Sequence, residues 1–154
     1  VFGRVSSQGQ LREGHDIRAQ RPRPRRAVSD QPAVAVQIAD GDVVWEAPPF
    51  QDTCGTRPGC HTAQPGAVTV IPGVVFSGSL DGHIRAYATG TGDVIWDVDT
   101  VGEYDTVNGV PGRGGSLNGP GATVAGGMLY VSSGYGFANY MPGNVLLAFS
   151  IEGQ

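Results

Sequence analysis

Residues 86–96, Ala86-Tyr87-Ala88-Thr89-Gly90-Thr91-Gly92-Asp93-Val94-Ile95-Trp96, decide the fold, because their pattern also occurs 51 residues earlier. Residues 35–45 read AVQIADGDVVW, so an Ala, a Gly-Asp-Val triplet and a Trp recur at the same offsets without a gap. A third copy begins at residues 148–149, and its Trp would fall near position 158. Self-similarity near 50 residues is typical of propeller blades with four strands each. We therefore expect the sequence to end inside a repeat.

Short apolar runs separated by glycine-containing turns predict many strands. Asp81-Gly82 lies between two such runs and is a strong hairpin signal, since Gly accepts the positive φ of a tight turn. In 84–88, Ile and Ala alternate with Arg85 and Tyr87, which predicts a strand with one buried face. The predicted strands are Val34–Ile38, Val43–Trp45, Ala67–Ile71, Val74–Ser77, Ile84–Ala88, Val94–Trp96, Ala122–Ala125, Met128–Ser132 and Val145–Ile151.

The composition agrees with an all-β fold. The 25 Gly and 11 Pro are unfavourable in helix interiors and common in tight turns. Residues 31–154 are predicted to form a partial β-propeller of about two to three four-stranded blades. Two complete repeats cannot close a ring of four to eight blades, so we expect exposed blade faces and strand edges, and a marginally stable or aggregation-prone piece.

The first 30 residues have a different character. Arg21-Pro22-Arg23-Pro24-Arg25-Arg26 is either a basic recognition arm or part of an irregular, solvated segment foreign to the fold, and the charge pattern favours the second interpretation. The net charge of −4 leaves the rest of the chain acidic, which argues against a nucleic-acid surface. No apolar run is long enough to predict a membrane span.

The Ala-Gly-Trp repeat resembles that of the pyrroloquinoline-quinone (PQQ) dehydrogenases, which are eight-bladed propellers. Longer strings in residues 64–153 are most similar to the polyvinyl-alcohol dehydrogenases of that family, toward the C-terminal part. By this resemblance Trp45 and Trp96 dock blade against blade rather than stack on a cofactor. The strings are AVTVIPGVVFSGSLDGHIRAY at 67–87, TVNGV at 106–110, RGGSLNGPG at 113–121 and GNVLLAFS at 143–150.

The resemblance implies an oxidoreductase. The parent enzyme would oxidise a secondary alcohol by hydride transfer to PQQ, with Ca²⁺ and a carboxylate base, and would pass electrons to a cytochrome c or quinone acceptor in the periplasm. This chain lacks the adjacent Cys-Cys pair typical of the family, and the family's catalytic acids belong mostly to blades outside it. We expect it to be inactive without the missing blades, and we assign no catalytic or metal-binding residue. The alternative is a non-catalytic propeller that serves as a binding or assembly scaffold.

Two long connections, Glu46–Gly66 and Asp97–Gly121, follow the two Trp residues and should lie on one face, where sites usually occur. In the second, an Arg suits the carboxylates or quinone oxygens of PQQ, a Gly allows close approach, and Ser and Asn can form hydrogen bonds. The alternative is a Gly-rich loop that merely turns the chain. The predicted cofactor-binding residues are Asn108, Arg113, Gly115, Ser116 and Asn118.

The first connection contains Cys54 and Cys60, followed by His61. Attachment of c-type haem needs two residues between the cysteines, and zinc needs more ligands than these three. A disulfide is the simplest account in the oxidising compartment that the resemblance implies, with free thiols as the alternative. Elsewhere, His83 is predicted to be an exposed strand residue, and Asp105 is either a base or calcium ligand or, more commonly, a surface turn residue.

Overall fold

A computed structural model describes residues 32–48, 51–136 and 138–151. All the regular secondary structure in these ranges consists of β-strands. The Arg-rich segment 1–30 lies outside the described residues. The strands form four separate antiparallel sheets, which confirms the predicted all-β class. No helix in the described part of the chain is long and apolar enough to cross a bilayer.

All nine predicted strands are present, with ends that shift by a few residues. Two further strands of two residues each, β7 and β8, were not predicted, since such short strands carry no periodicity. In chain order the described strands are β1 Val34–Val36, β2 Val43–Glu46, β3 Thr69–Ile71, β4 Val74–Gly78, β5 His83–Ala88, β6 Val94–Asp99, β7 Glu103–Tyr104, β8 Gly112–Arg113, β9 Thr123–Ala125, β10 Met128–Ser133 and β11 Val145–Ser150.

The central sheet is a four-stranded meander in the order β3-β4-β5-β6, as expected of one complete blade. Its register pairs Ile84 with Gly78 on one side and with Val98 on the other. The predicted Asp81-Gly82 hairpin joins β4 to β5, and Gly82 has a φ of +88°. The flanking sheets are β1-β2 before it and β9-β10-β11 after it.

Both faces of the central sheet are covered. Ile84 packs with Leu117, Leu129 and Val131 on the side of the β9-β10-β11 sheet. On the other side Tyr87 packs with residues of the β1-β2 region. The prediction that β5 has one buried face is therefore wrong: Arg85 is as buried as its apolar neighbours, because a neighbouring sheet lies over each face. Successive sheets stacked face to face are the packing of adjacent propeller blades.

The two Trp residues join the sheets, which confirms their predicted docking role. The indole Nε1 of Trp45 donates a hydrogen bond to the Thr89 carbonyl oxygen in the β5-β6 turn, at 2.8 Å. Trp96 packs edge to face against Phe149 of β11, with ring centroids 5.3 Å apart. Outward-facing residues of the first and last described sheets, such as Val44 and Leu146, are 51% and 61% exposed.

Candidate functional site

The functional candidates lie at one end of the central sheet. Because the meander reverses direction at each strand, the β4-β5 turn and the end of β6 lie at the same end, together with the start of β3. The two long connections, 47–68 and 100–122, therefore run along this end. They bring the disulfide loop and the Arg113 loop to the same side of the blade.

A buried ion pair occupies the β4-β5 turn at this end. Arg85 Nη2 lies 2.9 Å from Asp81 Oδ2, with side chains 3% and 0% exposed, and Arg85 Nε lies 3.1 Å from Asp97. Burial alone would raise the pKa of Asp81, but hydrogen bonds from Arg85, Ser79 and Thr53 outweigh it and hold that pKa below its ordinary value. The Arg85 guanidinium is thus paired with carboxylates of the protein, and its role is structural.

His83 is not the exposed strand residue that the sequence predicted. Its side chain is only 15% exposed, and Nδ1 lies 2.7 Å from an Asp97 oxygen. Nε2 lies 3.8 Å from Asp99. The carboxylates at the end of β6 cover the imidazole because β5 and β6 are paired there.

The predicted disulfide between Cys54 and Cys60 is present, with Cα atoms 5.5 Å apart. The loop it closes is bound to the central sheet: Thr53 donates to Asp81 at 2.6 Å, and Arg57 pairs with Asp99 at 3.4 Å. Beyond the loop, His61 packs edge to face on Tyr140 of the β10-β11 connection. The loop therefore bridges the central blade and the next one.

Arg113 opens onto a shallow depression of about 640 Å³. Its side chain is exposed and makes no hydrogen bond or ion pair with the part of the chain that the structure describes. Two acids share the depression, so its charge is mixed. It is lined by Glu103, Tyr104, Asp105, Pro111, Gly112, Arg113, Pro142, Gly143 and Asn144.

Gly114 and Gly115 of the second connection approach protein, not open space. The Gly114 N–H donates to the Gly102 carbonyl at 2.8 Å, and the Gly115 N–H donates to Ser133 Oγ at 2.9 Å. A Cβ on Gly114 would lie 1.7 Å from the Thr100 carbonyl oxygen, and one on Gly115 would lie 2.3 Å from that of Met141. Both backbone N–H groups already donate hydrogen bonds within the protein. The glycines therefore allow tight packing of backbone against backbone, and not the expected approach of N–H groups to a ligand.

The other three predicted site residues lie in different surroundings. Ser116 is buried, and its Oγ donates to the Leu80 carbonyl at 2.6 Å. Asn108 is exposed in a turn, where its Oδ1 accepts the Val110 N–H at 3.1 Å. Asn118 is half-buried and faces Gly136, where a Cβ would lie 2.2 Å from its Oδ1. The five residues share one connection but do not form one cluster, and none but Arg113 lines the depression.

The donor set fits part of a PQQ site. One exposed guanidinium suits one carboxylate or the quinone oxygens, whereas a tricarboxylate needs further donors and Glu103 and Asp105 would repel it. Among the described residues, no three His, Cys, Asp or Glu side chains are grouped to hold a metal ion. Asp105, the residue predicted to be a base or calcium ligand or else a surface turn residue, is exposed and lines the depression together with Glu103.

Asn144 is a residue of this region that sequence reasoning missed. It makes hydrogen bonds to both the N–H and the carbonyl of Arg113, at 2.7 and 2.8 Å. The sequence does not single out this asparagine, because an Asn after a Gly is common in the turns that precede strands. Only the approach of the segment before β11 to Arg113 shows its role.

A family profile described as outer membrane protein assembly factor BamB, PQQ_2, matches residues 2–113. A polyvinylalcohol dehydrogenase of Pseudomonas sp is 45% identical over 130 residues, which cover 78% of this chain and 20% of that protein. A second, of Sphingopyxis sp. (strain 113P3), is 42% identical over 132 residues, with the same coverage. The quinohemoprotein alcohol dehydrogenase ADH-IIG of Pseudomonas putida is 32% identical over 80 residues, 50% of this chain and 11% of that protein.

These similarities confirm the resemblance read from the sequence strings. The chain spans about a fifth of the length of the two polyvinylalcohol dehydrogenases that it matches.

Proposed function

The chain belongs to the PQQ_2 family, and on that premise we propose that it forms part of a PQQ-dependent alcohol dehydrogenase of the polyvinyl-alcohol dehydrogenase type. The observation that carries this proposal is the exposed Arg113 guanidinium over an open depression at the end where both connections run. The unpaired guanidinium can bind one carboxylate or quinone oxygen of PQQ, and the donors for its other carboxylates would come from outside this depression, because Glu103 and Asp105 cannot supply them. The names of the three relatives, all dehydrogenases, support the same reading.

Each predicted site residue has a role in this proposal. Arg113 would hold a carboxylate or quinone oxygen through its planar guanidinium. Gly115 and Ser116 would hold the connection in place without contacting the cofactor. Gly115 hydrogen-bonds to Ser133 of the following blade, and Ser116 hydrogen-bonds to Leu80 of the central blade. Asn108 lies in a turn of the same connection, and Asn118 lies before β9. Both side chains would form hydrogen bonds to the cofactor.

When bound, PQQ supplies the acceptor for two electrons from the substrate alcohol. We propose a secondary alcohol as substrate, a Ca²⁺ ion beside the cofactor, and a cytochrome c or quinone as electron acceptor. The periplasm is the compartment we propose, and the Cys54–Cys60 disulfide supports it because disulfides persist in oxidising compartments.

We propose that the chain alone does not catalyse the reaction. The described residues offer one unpaired exposed cation at the depression and no group of three His, Cys, Asp or Glu side chains, which is less than catalysis with PQQ and Ca²⁺ requires. The remaining donors and the catalytic base would come from the missing propeller blades.

A non-catalytic scaffold is the second candidate, and one observation favours it: the matching family profile is described as an outer-membrane assembly factor. A scaffold needs no unpaired cation at the depression. The two candidates are therefore distinguished by whether Arg113 binds an anion.

The test is an equilibrium titration of the chain with PQQ and Ca²⁺, followed by PQQ fluorescence. We expect weak, saturable binding that Arg113→Gln weakens by roughly five- to tenfold, about 1 kcal/mol for an exposed charged contact. Arg57→Gln removes the same charge from an arginine paired with Asp99 and serves as the control. Absence of saturable binding, or an equal loss in both variants, would favour the scaffold.

A further inference from the structure

We propose that Asn144 is a positioning residue that sets the placement of Arg113 at the depression; this rests on the proposed role of Arg113 in binding the cofactor. The Arg113 N–H donates to Asn144 Oδ1 at 2.7 Å, and the Asn144 N–H donates to the Arg113 carbonyl at 2.8 Å. The Asn144 amide also donates to the Pro111 carbonyl at 3.3 Å. One residue thus makes three hydrogen bonds to the backbone of Arg113 in β8 and of Pro111 just before it.

The ribbon that carries Arg113 needs such support. Strands β7 and β8 pair over two positions only, Glu103 with Arg113 and Tyr104 with Gly112. An isolated two-stranded ribbon of this length is marginal in water. Asn144 extends the pairing from the free side of β8, so the direction in which Arg113 leaves the backbone depends on it.

An asparagine is suited to this place because its amide accepts and donates at once. Oδ1 takes the Arg113 N–H while Nδ2 reaches Pro111, and an aspartate could supply only the acceptor. The neighbouring Gly143 passes so close that a Cβ there would lie 2.4 Å from the Arg113 carbonyl oxygen. Gly143 therefore packs closely against the backbone of Arg113, and Asn144 forms hydrogen bonds to it.

The contact also connects two blades. Asn144 precedes β11 of the last described sheet, and the Tyr135 hydroxyl after β10 donates to its carbonyl at 2.5 Å. Arg113 belongs to the connection that leaves the central blade. The position of the proposed cofactor contact is thus determined by the following blade, through an exposed side chain whose loss leaves no cavity in the core.

The test combines two measurements on the whole chain. Amide hydrogen exchange at Arg113 reports the Asn144 contact directly, and Asn144→Ala is expected to speed it by about five- to tenfold, whereas Asn144→Asp keeps the acceptor and most of the protection. Asn139→Ala, an exposed Asn of the same region, is the control and should change nothing. Unchanged exchange at Arg113 in Asn144→Ala overturns the proposal whether or not PQQ binds.

The second measurement is PQQ binding in a double-mutant cycle. Asn144→Ala should weaken binding severalfold in the wild-type background and have no further effect in Arg113→Gln, because it acts through that arginine. An equal loss in both backgrounds means that Asn144 contacts the ligand itself, which overturns a positioning role. If exchange responds as expected but wild type does not bind PQQ, the proposed function fails while the structural contact is established.

Discussion

Trp45 of the first described sheet and Gly92 of the central sheet are in direct contact across the boundary between two blades. The ring lies where a Cβ on Gly92 would come within 2.5 Å of it, and its Nε1 donates to the nearby Thr89 carbonyl. Trp and Gly are both fixed positions of the 51-residue repeat. Their contact explains why: the Trp of one repeat docks on the glycine turn of the next.

Replacing Gly92 with Ala should destabilise the fold by about 2–4 kcal/mol, because the methyl group meets the Trp45 ring and the residue has a φ of +77°. Urea denaturation of Gly92→Ala measures this. Gly73→Ala is the matched control, since Gly73 has a φ of +86° but no atom within 4 Å of its Cβ position. It should lose only about 1 kcal/mol. Equal losses would mean that the docking contact contributes nothing.

Replacing Asp81 with Asn should lower the free energy of unfolding at neutral pH by about 3 kcal/mol, because Arg85 loses its closest carboxylate. The Asp97 contact of Arg85 remains and limits the loss. Chemical denaturation of both proteins gives the difference.

The effect of Asp81→Asn should depend on pH. The pKa of Asp81 is lowered in the folded state, so the unfolded chain takes up the proton first as pH falls. The stabilisation is therefore complete above the unfolded value of about 3.9 and is lost as pH falls through the folded pKa. A wild-type advantage that does not shrink in acid would contradict this.

Tyr87 should make the protein sensitive to alkali. Burial raises its pKa to about 12, and it accepts a hydrogen bond from Gln64 at 2.8 Å. The folded state keeps the proton that the unfolded chain loses near pH 10, so stability falls from about pH 10 toward pH 12, by at most roughly 3 kcal/mol. Tyr87→Phe should be less stable at neutral pH but should lack this part of the alkaline slope. An identical slope in both proteins would show that Tyr87 does not cause it.

Reduction of the Cys54–Cys60 disulfide should lower stability by about 2 kcal/mol on the chain-entropy account of a short closed loop. Denaturation with and without a phosphine reductant measures the loss. The Cys54→Ser/Cys60→Ser double variant should match the reduced protein and show no response to the reductant. If the reductant also lowered the stability of that variant, the loss would not come from the Cys54–Cys60 disulfide.

Much of the fold could be predicted because the repeat and the strand pattern are local signals. The Asp81-Gly82 hairpin follows from residue types at fixed offsets, and the Trp docking follows from the family resemblance that the repeat carries. The burial of Arg85 could not be predicted, since alternation in one strand does not show that a second sheet covers its polar face. The His83 environment was missed for a related reason: its acidic neighbours belong to the paired strand.

The candidate site was less predictable. Arg113 was selected for its chemistry, and the structure places it at the depression. The sequence could not show that the amide groups of Gly114 and Gly115 are already bonded to protein, or that Asn144 holds Arg113. Such roles depend on which distant backbone segments come together, and no local pattern records this.

We propose that the end of the blade that carries Arg113 faces PQQ. A crystal structure of the protein with PQQ and Ca²⁺ tests it most directly. We expect a cofactor oxygen within hydrogen-bond distance of the Arg113 guanidinium, at the end where connections 47–68 and 100–122 run. Cofactor bound at the opposite end, beside the β3-β4 and β5-β6 turns, would contradict it.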